Sequence, residues 1–384
     1  MRNYFFAGSR LQVSGEEVLL AGSPLSRFIR RLPCSDNVAL DLSSDVCPSY
    51  EDYTINSTGS GIIIGSVRGA GWLISSEDKN NPCCILANSD YSVLQGYINI
   101  KRCSNERLLK DNFMQLLRLS MECHAAGCCG LSMHASCVGL GGNAVLFTAP
   151  SGTGKSTQSR IWKKCFGAKI VSGDRPFLQL LPNEVRACGV PWDGKEQIFL
   201  QEDYPVAAIV EVRRAKRNSL RKLSVNQAFS LMMRQCFIPM WDDCIKFSLI
   251  ETIRAVSGRV PFYRLFCLPE EGSAELLKKA LFDNEKIMLR EEQPDMKLKE
   301  GFILKNVIDE WVVMPTGGNI KNFEGAIVLN DAAAFIWKQL ENPISREDLL
   351  QGITDEYDID SETAAADLEK FLDKLRSLEI LQEF

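Results

Sequence analysis

The sequence lacks any long apolar run. Its 384 residues contain no stretch of about eighteen consecutive apolar residues, the length that a helix needs to cross a bilayer. The first residues, MRNYFFAGSRLQVSG, also lack the continuous apolar segment of a signal peptide. We therefore expect a cytoplasmic protein with no membrane partner.

The chain also has no excess of positive charge. The chain has 44 Lys and Arg against 49 Asp and Glu, which gives a formal net charge of −5. This balance argues against a protein that binds nucleic acid through a basic face, so we expect no nucleic-acid partner. A local basic run from Arg213 to Lys222 is predicted to be a solvated face.

Histidine is scarce, whereas cysteine is not. The chain has 2 histidines and 14 cysteines, with no C-x-x-C pair. In a long chain without a secretion signal, this usage predicts reduced and mostly buried thiols. A zinc site is an alternative where His124 lies near Cys123, Cys128 and Cys129, but adjacent cysteines are awkward ligands for one tetrahedral ion. We favour reduced thiols over zinc.

A glycine-rich turn follows a short apolar run in Ala144–Ser159, AVLFTAPSGTGKSTQS. It matches the pattern G-x-x-x-x-G-K-[ST], except that Ala149 replaces the first glycine. In such a loop, backbone N–H groups surround an anion, the lysine adds positive charge and the next hydroxyl binds Mg²⁺. A glycine-rich hairpin is the alternative, but it would not require Lys-Ser-Thr at its end. A polyphosphate is predicted to bind the residues Ser151, Gly152, Thr153, Gly154, Lys155, Ser156 and Thr157.

Two further polar residues flank this loop in the sequence. His134 lies in an extended segment one strand before it, and could be either a structural or a functional histidine. Asp174 follows the strand AKIVS, where phosphoryl transfer needs a Mg²⁺ ligand or a base. We favour this function over a turn-forming role for Asp174. A loop with Trp192, Asp193 and Lys195 either lines the substrate side or is a structural turn.

The pattern of segments predicts several domains. Short β-type segments come first, an α/β region with the glycine-rich turn follows, and a charged stretch precedes a last region of three strands and three helices. The last region is predicted to be a winged-helix-like α+β domain. The predicted boundaries are 1–105 for the β-rich region, 106–284 for the α/β domain, 285–300 for a linker and 301–384 for the last domain.

Three motifs resemble the catalytic domain of HPr kinase/phosphorylase and the related phosphoenolpyruvate carboxykinase core. They are HAS (His134–Ser136), APSGTGKST (Ala149–Thr157) and VSGD (Val171–Asp174), in the same order as in those families. The resemblance covers roughly residues 120–285. It implies a mixed-sheet α/β core, a kinase that uses ATP and Mg²⁺, and possible assembly into homo-oligomers through the catalytic domain.

The resemblance also implies roles for particular residues. Lys155 would contact the β- and γ-phosphates, Ser156 would hold Mg²⁺, and Asp174 would be the general base or a second metal ligand. His134 would support that acid electrostatically. The chain departs from the family at two positions: Gly173 replaces the first acid of a pair, and Thr157 replaces a glutamate.

The C-terminal region resembles the PqqD family of small domains that bind leader peptides. GAIVLNDAAAFIWKQLE (Gly325–Glu341) matches the family's strand and first helix, and DLEKFLDKLRSLEIL (Asp367–Leu381) matches its last helix. The family's usual glycine is replaced around Asn342-Pro343. The resemblance implies a peptide partner at residues 301–384, which adds a strand to a sheet edge and packs against the last helix.

Three hypotheses for function follow. The first is a kinase that transfers the γ-phosphate of ATP to a Ser or Thr hydroxyl of a ribosomally made precursor peptide, recruited by the C-terminal domain. The second keeps the kinase but gives it a small-molecule or carrier-protein hydroxyl. The third, motivated by Gly173, is a non-catalytic peptide chaperone that is gated by ATP.

Overall fold

The chain forms two compact units, Met1–Arg290 and Glu291–Phe384, and each is described by itself. The computed structural model describes most of both units. The described residues are 2–16, 20–21, 23–31, 34, 36–45, 53–59, 61–67, 71–150, 152–192, 198, 200–215, 217–283, 296–307, 310–316, 326–357 and 359–383.

An eight-stranded sheet opens the first unit, in the order β1-β2-β3-β8-β7-β6-β5-β4. Apolar residues alternate with polar ones along its strands; in β3, for example, Val38, Leu40 and Leu42 are buried while their neighbours are not. The pairs β2–β3 and β3–β8 are parallel. The strands are β1 (Arg2–Phe6), β2 (Ser9–Gly15), β3 (Asp36–Ser43), β4 (Tyr53–Gly59), β5 (Ile62–Val67), β6 (Gly71–Ser76), β7 (Cys83–Ala87) and β8 (Val93–Ile98).

Helix α1 (Glu106–Gly127) packs on this sheet. Asn105 caps its N-terminus by accepting a hydrogen bond from the Leu108 N–H. A Cβ added to Gly96 of β8 would lie 2.7 Å from the Phe113 ring, so this position needs glycine for the helix to approach the strand. The buried stripe of α1 joins one core that extends from the first strands into the α/β layer.

A nine-stranded mixed sheet forms the second layer, with the order β12-β10-β11-β15-β14-β13-β9 and with β17 paired to both β15 and β16. Strand β15 is parallel to β11 and to β17, and β10 is antiparallel to β11 and β12. The strands are β9 (Gly130–Ser132), β10 (Ala135–Leu140), β11 (Asn143–Thr148), β12 (Lys169–Ser172), β13 (Phe177–Leu180), β14 (Val185–Cys188), β15 (Asp203–Arg214), β16 (Ser219–Lys222) and β17 (Phe262–Cys267).

Four more helices complete the first unit. Trp162 of α2 is fully buried, with its ring 5.6 Å from that of Phe147 and 5.5 Å from that of Phe166. This packing anchors α2 to the strand that precedes it. The helices are α2 (Lys155–Phe166), α3 (Val225–Gln235), α4 (Asp243–Arg259) and α5 (Glu271–Phe282).

The second unit combines a three-stranded sheet, ordered β19-β20-β21, with a two-stranded pair of β18 and β22 and three helices. Each helix has a capping side chain: Asn330 accepts from the Ala333 N–H, Ser345 from the Asp348 N–H, and Asp360 from the Glu362 and Thr363 N–H groups. The elements are β18 (Met296–Leu298), β19 (Phe302–Val307), β20 (Glu310–Pro315), β21 (Ile327–Leu329), α6 (Asp331–Leu340), α7 (Arg346–Tyr357), α8 (Ser361–Ser377) and β22 (Leu381–Glu383).

The last residues of the predicted linker 285–300 belong to the folded second unit. Met296 and Leu298 are buried in the core of the second unit, and their strand pairs with β22, because two apolar side chains alternate with Lys297 there. Residues 284–295 lie outside the described residues. The boundary after residue 105 stays a prediction, although residues on both sides of it share one core.

The described residues bear on two of the expectations from sequence, which concern membrane-spanning helices and the cysteines. No helix in the described ranges is both long and apolar enough to cross a membrane. Every cysteine that the structure describes has a free thiol, and Cys34, Cys129 and Cys244 are exposed rather than buried.

Candidate active site

The predicted site residues lie together at one edge of the nine-stranded sheet, namely the side at which β11 and β12 end. The glycine-rich loop leaves the C-terminal end of β11, Asp174 follows the end of β12, and His134 precedes the start of β10. Because β10 is antiparallel to both neighbours, its start lies beside their ends: Ala135 pairs with Thr148 and Cys137 with Ser172. The loop, the histidine and the acid therefore meet at this edge, which is where α/β sheets usually bind ligands.

The backbone of the loop has the conformation that the motif requires. Gly152 has a φ of +78° and Gly154 a φ of +132°, values that side-chain-bearing residues rarely adopt. An added Cβ would meet no atom within 4 Å at Gly152, so the constraint there is the backbone conformation and not crowding. Gly154 is also the N-cap residue of α2, and having no side chain it leaves the first N–H groups of the helix to a ligand.

Lys155 lies inside the loop. Its ammonium donates a hydrogen bond to the Ala149 carbonyl at 3.0 Å, and the residue is 9% exposed. Burial lowers the pKa of Lys155, while the charge of Asp174 acts in the opposite direction. The hydrogen-bond partner is neutral, so a bound anion would offset the desolvation of this cation.

Ser156 and Thr157 occupy the first turn of α2, where both are half-buried. Ser151 lies outside the described residues. Deeper in the fold, the Ser136 hydroxyl of β10 contacts the Ser159 hydroxyl of α2 at 2.6 Å, and Ser159 donates to the Lys155 carbonyl. This contact links the strand after His134 to the helix that carries the loop lysine.

His134 and Asp174 form a pair. His134 Nε2 lies 3.3 Å from Asp174 Oδ1, and the Ala135 N–H donates to the Asp174 carbonyl at 2.8 Å. The other ring nitrogen of His134 faces the Gln235 side-chain oxygen at 3.3 Å, and the His134 N–H donates to the Gln235 carbonyl. The imidazole is thus held between the last residue of α3 and the carboxylate.

The pKa of Asp174 lies below its ordinary value. The hydrogen bond from His134 is the main cause, and the charges of His134, Arg175 and Lys155 add to it, whereas burial acts in the opposite direction. Asp174 is therefore an anion at neutral pH. An anionic oxygen near a buried lysine can bind a divalent cation or accept a proton.

Neither Gln235 nor Arg214 was predicted from the sequence to lie at this edge. Gln235 is 101 residues from His134 in the sequence, and no local pattern joins them. Arg214 was predicted to belong to a solvated face; it is exposed, but its guanidinium donates to the Gly152 carbonyl at 2.5 Å. Its place at the end of β15 explains the contact, because β15 lies beside β11 in the sheet.

A buried ion-pair network was also missed. Glu211 of β15 is paired with Thr148 across the parallel ladder, and its carboxylate contacts Arg264 and Arg213, each at 2.7 Å. Burial alone would raise the pKa of Glu211, but the charges of Arg264 and Arg213 outweigh it and the pKa lies below its ordinary value. The signal in the sequence was a single glutamate inside the apolar run AAIVEV.

The loop around Trp192 is only partly described. Trp192 is buried, with its ring 5.1 Å from that of Phe6 and 5.5 Å from that of Phe177, so this residue packs in the core. Asp193 and Lys195 lie outside the described residues. Whether they line a substrate site stays a prediction.

The residues at this edge have the chemistry to bind a polyphosphate and a divalent cation. The loop has glycines with positive φ, an uncapped helix N-terminus and a buried lysine, which together are the features of a polyphosphate cradle. Ser156 and Asp174 would offer Mg²⁺ the oxygen ligands that it prefers. The roles of these residues stay predictions.

One family model matches part of the second unit. Residues 310–381 match the PqqD family, described as coenzyme PQQ synthesis protein D. No curated protein matches the chain.

Two solved structures are similar to parts of it. "TbiB1 in Complex with the TbiA(beta) Leader Peptide" is 25% identical, with a TM-score of 0.20, and the match covers 23% of this chain and 96% of that chain. The Hpr(Ser) kinase/phosphatase from Coxiella burnetii is 14% identical, with a TM-score of 0.24, and the match covers 41% of this chain and 97% of that chain.

Proposed function

We propose that this protein is an ATP-dependent kinase that phosphorylates a Ser or Thr hydroxyl of a peptide. The peptide is proposed to be a ribosomally made precursor that the C-terminal unit recruits. The observation that carries the proposal is the meeting of the glycine-rich loop, buried Lys155 and the His134–Asp174 pair at one sheet edge.

Each residue has a proposed role in the transfer. The loop N–H groups and Lys155 bind and orient the phosphates of ATP, and Ser156 and Asp174 hold Mg²⁺, which neutralises phosphate charge. Asp174 is also the candidate for accepting the proton of the attacking hydroxyl, because it is an anion that follows β12 at the same sheet edge as the loop. His134 positions Asp174, and Gln235 in turn orients His134.

Recruitment is proposed to occur at the second unit, which we take to be winged-helix-like. The match of residues 310–381 to the PqqD family supports this role. In the described part of the chain, β21 is an edge of its sheet, and Val328 at its centre is 57% exposed. A peptide strand could add to this edge, and the tether between the units would raise the acceptor concentration near the loop.

A mass-spectrometric assay tests the proposal. The protein is incubated with Mg²⁺, ATP and a precursor peptide encoded beside its gene, with and without the leader segment. We expect one added phosphate, faster transfer with the leader, and loss of transfer in Lys155→Met. The matched control is Lys164→Met, which removes an exposed lysine from the same helix.

A second pair of variants separates recruitment from chemistry. Val328→Lys should weaken peptide binding and leave ATP binding unchanged, whereas Val225→Lys, at an equally exposed valine of α3, should change neither. Absence of any phosphopeptide under all these conditions would defeat the peptide-kinase proposal.

The replacement of the first family acid by Gly173 favours one other candidate, an ATP-gated peptide chaperone. It predicts tight binding of ATP without turnover. Phosphate transfer that disappears in Asp174→Ala would reject it.

A further inference from the structure

The second histidine of the chain lies at a separate cluster of metal-ligating side chains. The ligand atoms of Asp36, His124 and Cys128 all lie within 4.8 Å of one another. Asp36 begins β3, His124 is in the last turn of α1, and Cys128 is the C-cap residue of that helix. The phosphate-binding edge uses none of these residues.

The distances suit a tetrahedral ion. The Cys128 sulfur lies 3.8 Å from His124 Nε2. Zinc bonds of about 2.3 Å to sulfur and about 2.0 Å to nitrogen place two such ligands about 3.6 Å apart at a tetrahedral angle. Little movement of either side chain would therefore be needed to bind one ion between them.

The imidazole of His124 already has the orientation of a metal ligand. Its Nδ1 lies 3.1 Å from the Asp90 carbonyl oxygen. A carbonyl can only accept, so Nδ1 carries the proton and the lone pair of a neutral ring is on Nε2, the atom that faces Cys128. Histidine ligands of metals are commonly held by this kind of hydrogen bond to a backbone carbonyl.

The electrostatic surroundings also favour a cation. The carboxylates of Asp36 and Asp90 both lie close enough to Cys128 to act on it electrostatically. His124 is buried, while Asp36 and Cys128 are half-buried, so an ion has a path from solvent. A bound divalent ion would offset the negative charge of these two carboxylates.

We propose that Asp36, His124 and Cys128 bind one Zn²⁺ ion, with water as the fourth ligand. The mixed set of carboxylate oxygen, imidazole nitrogen and thiol sulfur selects zinc over Mg²⁺ or Ca²⁺, which prefer oxygen ligands alone. On binding, the S–H bond of Cys128 breaks, its proton goes to solvent, and the sulfur lone pair forms the bond to zinc. The ion ties the start of β3 to the end of α1.

This proposal revises the prediction from sequence. Adjacent Cys128 and Cys129 argued against zinc when both were counted as ligands with Cys123. In the fold the three cysteines separate: Cys123 is fully buried and Cys129 is exposed, so only Cys128 joins the histidine. The third ligand, Asp36, is 88 residues before His124 and was invisible to a local pattern.

Metal titration of the full chain tests the site. The protein is stripped with a chelator, and Zn²⁺ is titrated against a competing chromophore. We expect one equivalent of zinc to bind and the unfolding temperature to rise, because the ion binds the folded state. Zinc binding should weaken by at least about 10- to 100-fold in Asp36→Asn and Cys128→Ser. That is the usual loss of affinity when a residue that hydrogen-bonds to a metal ligand is removed, and removing a ligand itself should cost no less. The control Cys129→Ser should bind like the parent.

Cobalt substitution reports which sulfur binds. Co²⁺ in the parent protein and in Cys129→Ser should give a thiolate-to-cobalt charge-transfer band, and Cys128→Ser should lack it. Cys128→His keeps a ligand without a thiolate, so it should bind Zn²⁺ but give no such band with Co²⁺. Failure of the stripped parent to bind zinc, or equal binding by Cys128→Ser and Cys129→Ser, would overturn the proposal. These readouts do not depend on kinase activity.

Discussion

The two histidines of this chain occupy opposite chemical settings. His134 lies between the Asp174 carboxylate and the Gln235 side chain, and each ring nitrogen faces an oxygen atom at 3.3 Å. His124 donates to one carbonyl and turns its other nitrogen to a thiol. The first setting suits an imidazole that holds an anion in place, and the second suits one that offers a lone pair to a metal. Residue type alone therefore does not set the role of a histidine.

The largest expected effect comes from removing the acid beside His134. Asp174→Asn should lower phosphate transfer by about 10²- to 10⁴-fold, the usual contribution of a general base, without changing zinc content. Rapid-quench assays with the precursor peptide measure the rate. Asp243→Asn, in an exposed acid of α4, is the matched control. If Asp174→Asn transferred phosphate as fast as the control, Asp174 would have no catalytic role.

Exchanging each histidine for glutamine separates the two settings. His134→Gln should lower kcat/KM by about 10-fold, the equivalent of one charge-assisted hydrogen bond. The flexible amide of glutamine holds its N–H less firmly than the packed ring, so the bond to Asp174 weakens and the pKa of Asp174 rises. Because a base acts only when deprotonated, the acid limb of the pH profile should move to higher pH.

His124→Gln should leave that pH profile unchanged and abolish zinc binding. Separate roles for the two histidines would be contradicted if both variants gave the same pH profile, or if His134→Gln no longer bound zinc. Both proteins are compared at matched folded fraction, measured by circular dichroism.

A smaller effect is expected from the cap of the helix that carries His124. Asn105→Ala removes the acceptor for the Leu108 N–H and should destabilise the first unit by about 1 kcal/mol. Urea unfolding followed by tryptophan fluorescence measures the change. Asn105→Asp keeps an acceptor and should be close to the parent; equal losses in both variants would contradict the capping role.

The smallest expected effect concerns the support beneath His134. Ser136→Ala removes the contact with the Ser159 hydroxyl and should cost about 0.5 to 1 kcal/mol, because Ser159 keeps its bond to the Lys155 carbonyl. Ser219→Ala, at an exposed position of β16, is the control. A loss of transfer far beyond the loss of stability would mean that the contact positions the loop as well.

Local patterns predicted the elements around the site well. The apolar run before the glycine-rich turn is β11, and the predicted strand AKIVS is β12 to within one residue, because apolar runs bounded by glycine are strong signals there. Strands β16 and β18 were missed, because one lies in the predicted solvated face and the other in the predicted linker 285–300. Their sequences are short or mixed in polarity, and their pairing depends on partners far along the chain.

The site was predicted in part for the same reason. The loop, His134 and Asp174 could be selected as candidates because each lies near a strand end that the sequence makes visible, and their roles stay predictions. Gln235 and Asp36 could not be, since tertiary packing alone brings them to a histidine. For zinc the error was the converse: Cys123, Cys128 and Cys129 are neighbours in sequence and were taken as neighbours in space, although Cys123 is buried and Cys129 is exposed.

Strand β15 has a consequence for synthesis on the ribosome. Its second half pairs with β17, which begins only after α3 and α4, so the last residues of that pairing emerge roughly fifty residues later. At the usual translation speed this is about 3 to 10 s. During that interval the backbone N–H and C=O groups of Ile209–Arg214 have no partner strand on that side, and chains that meet there can associate with one another. Slower initiation or lower growth temperature should therefore raise the yield of soluble protein more than a stronger promoter does.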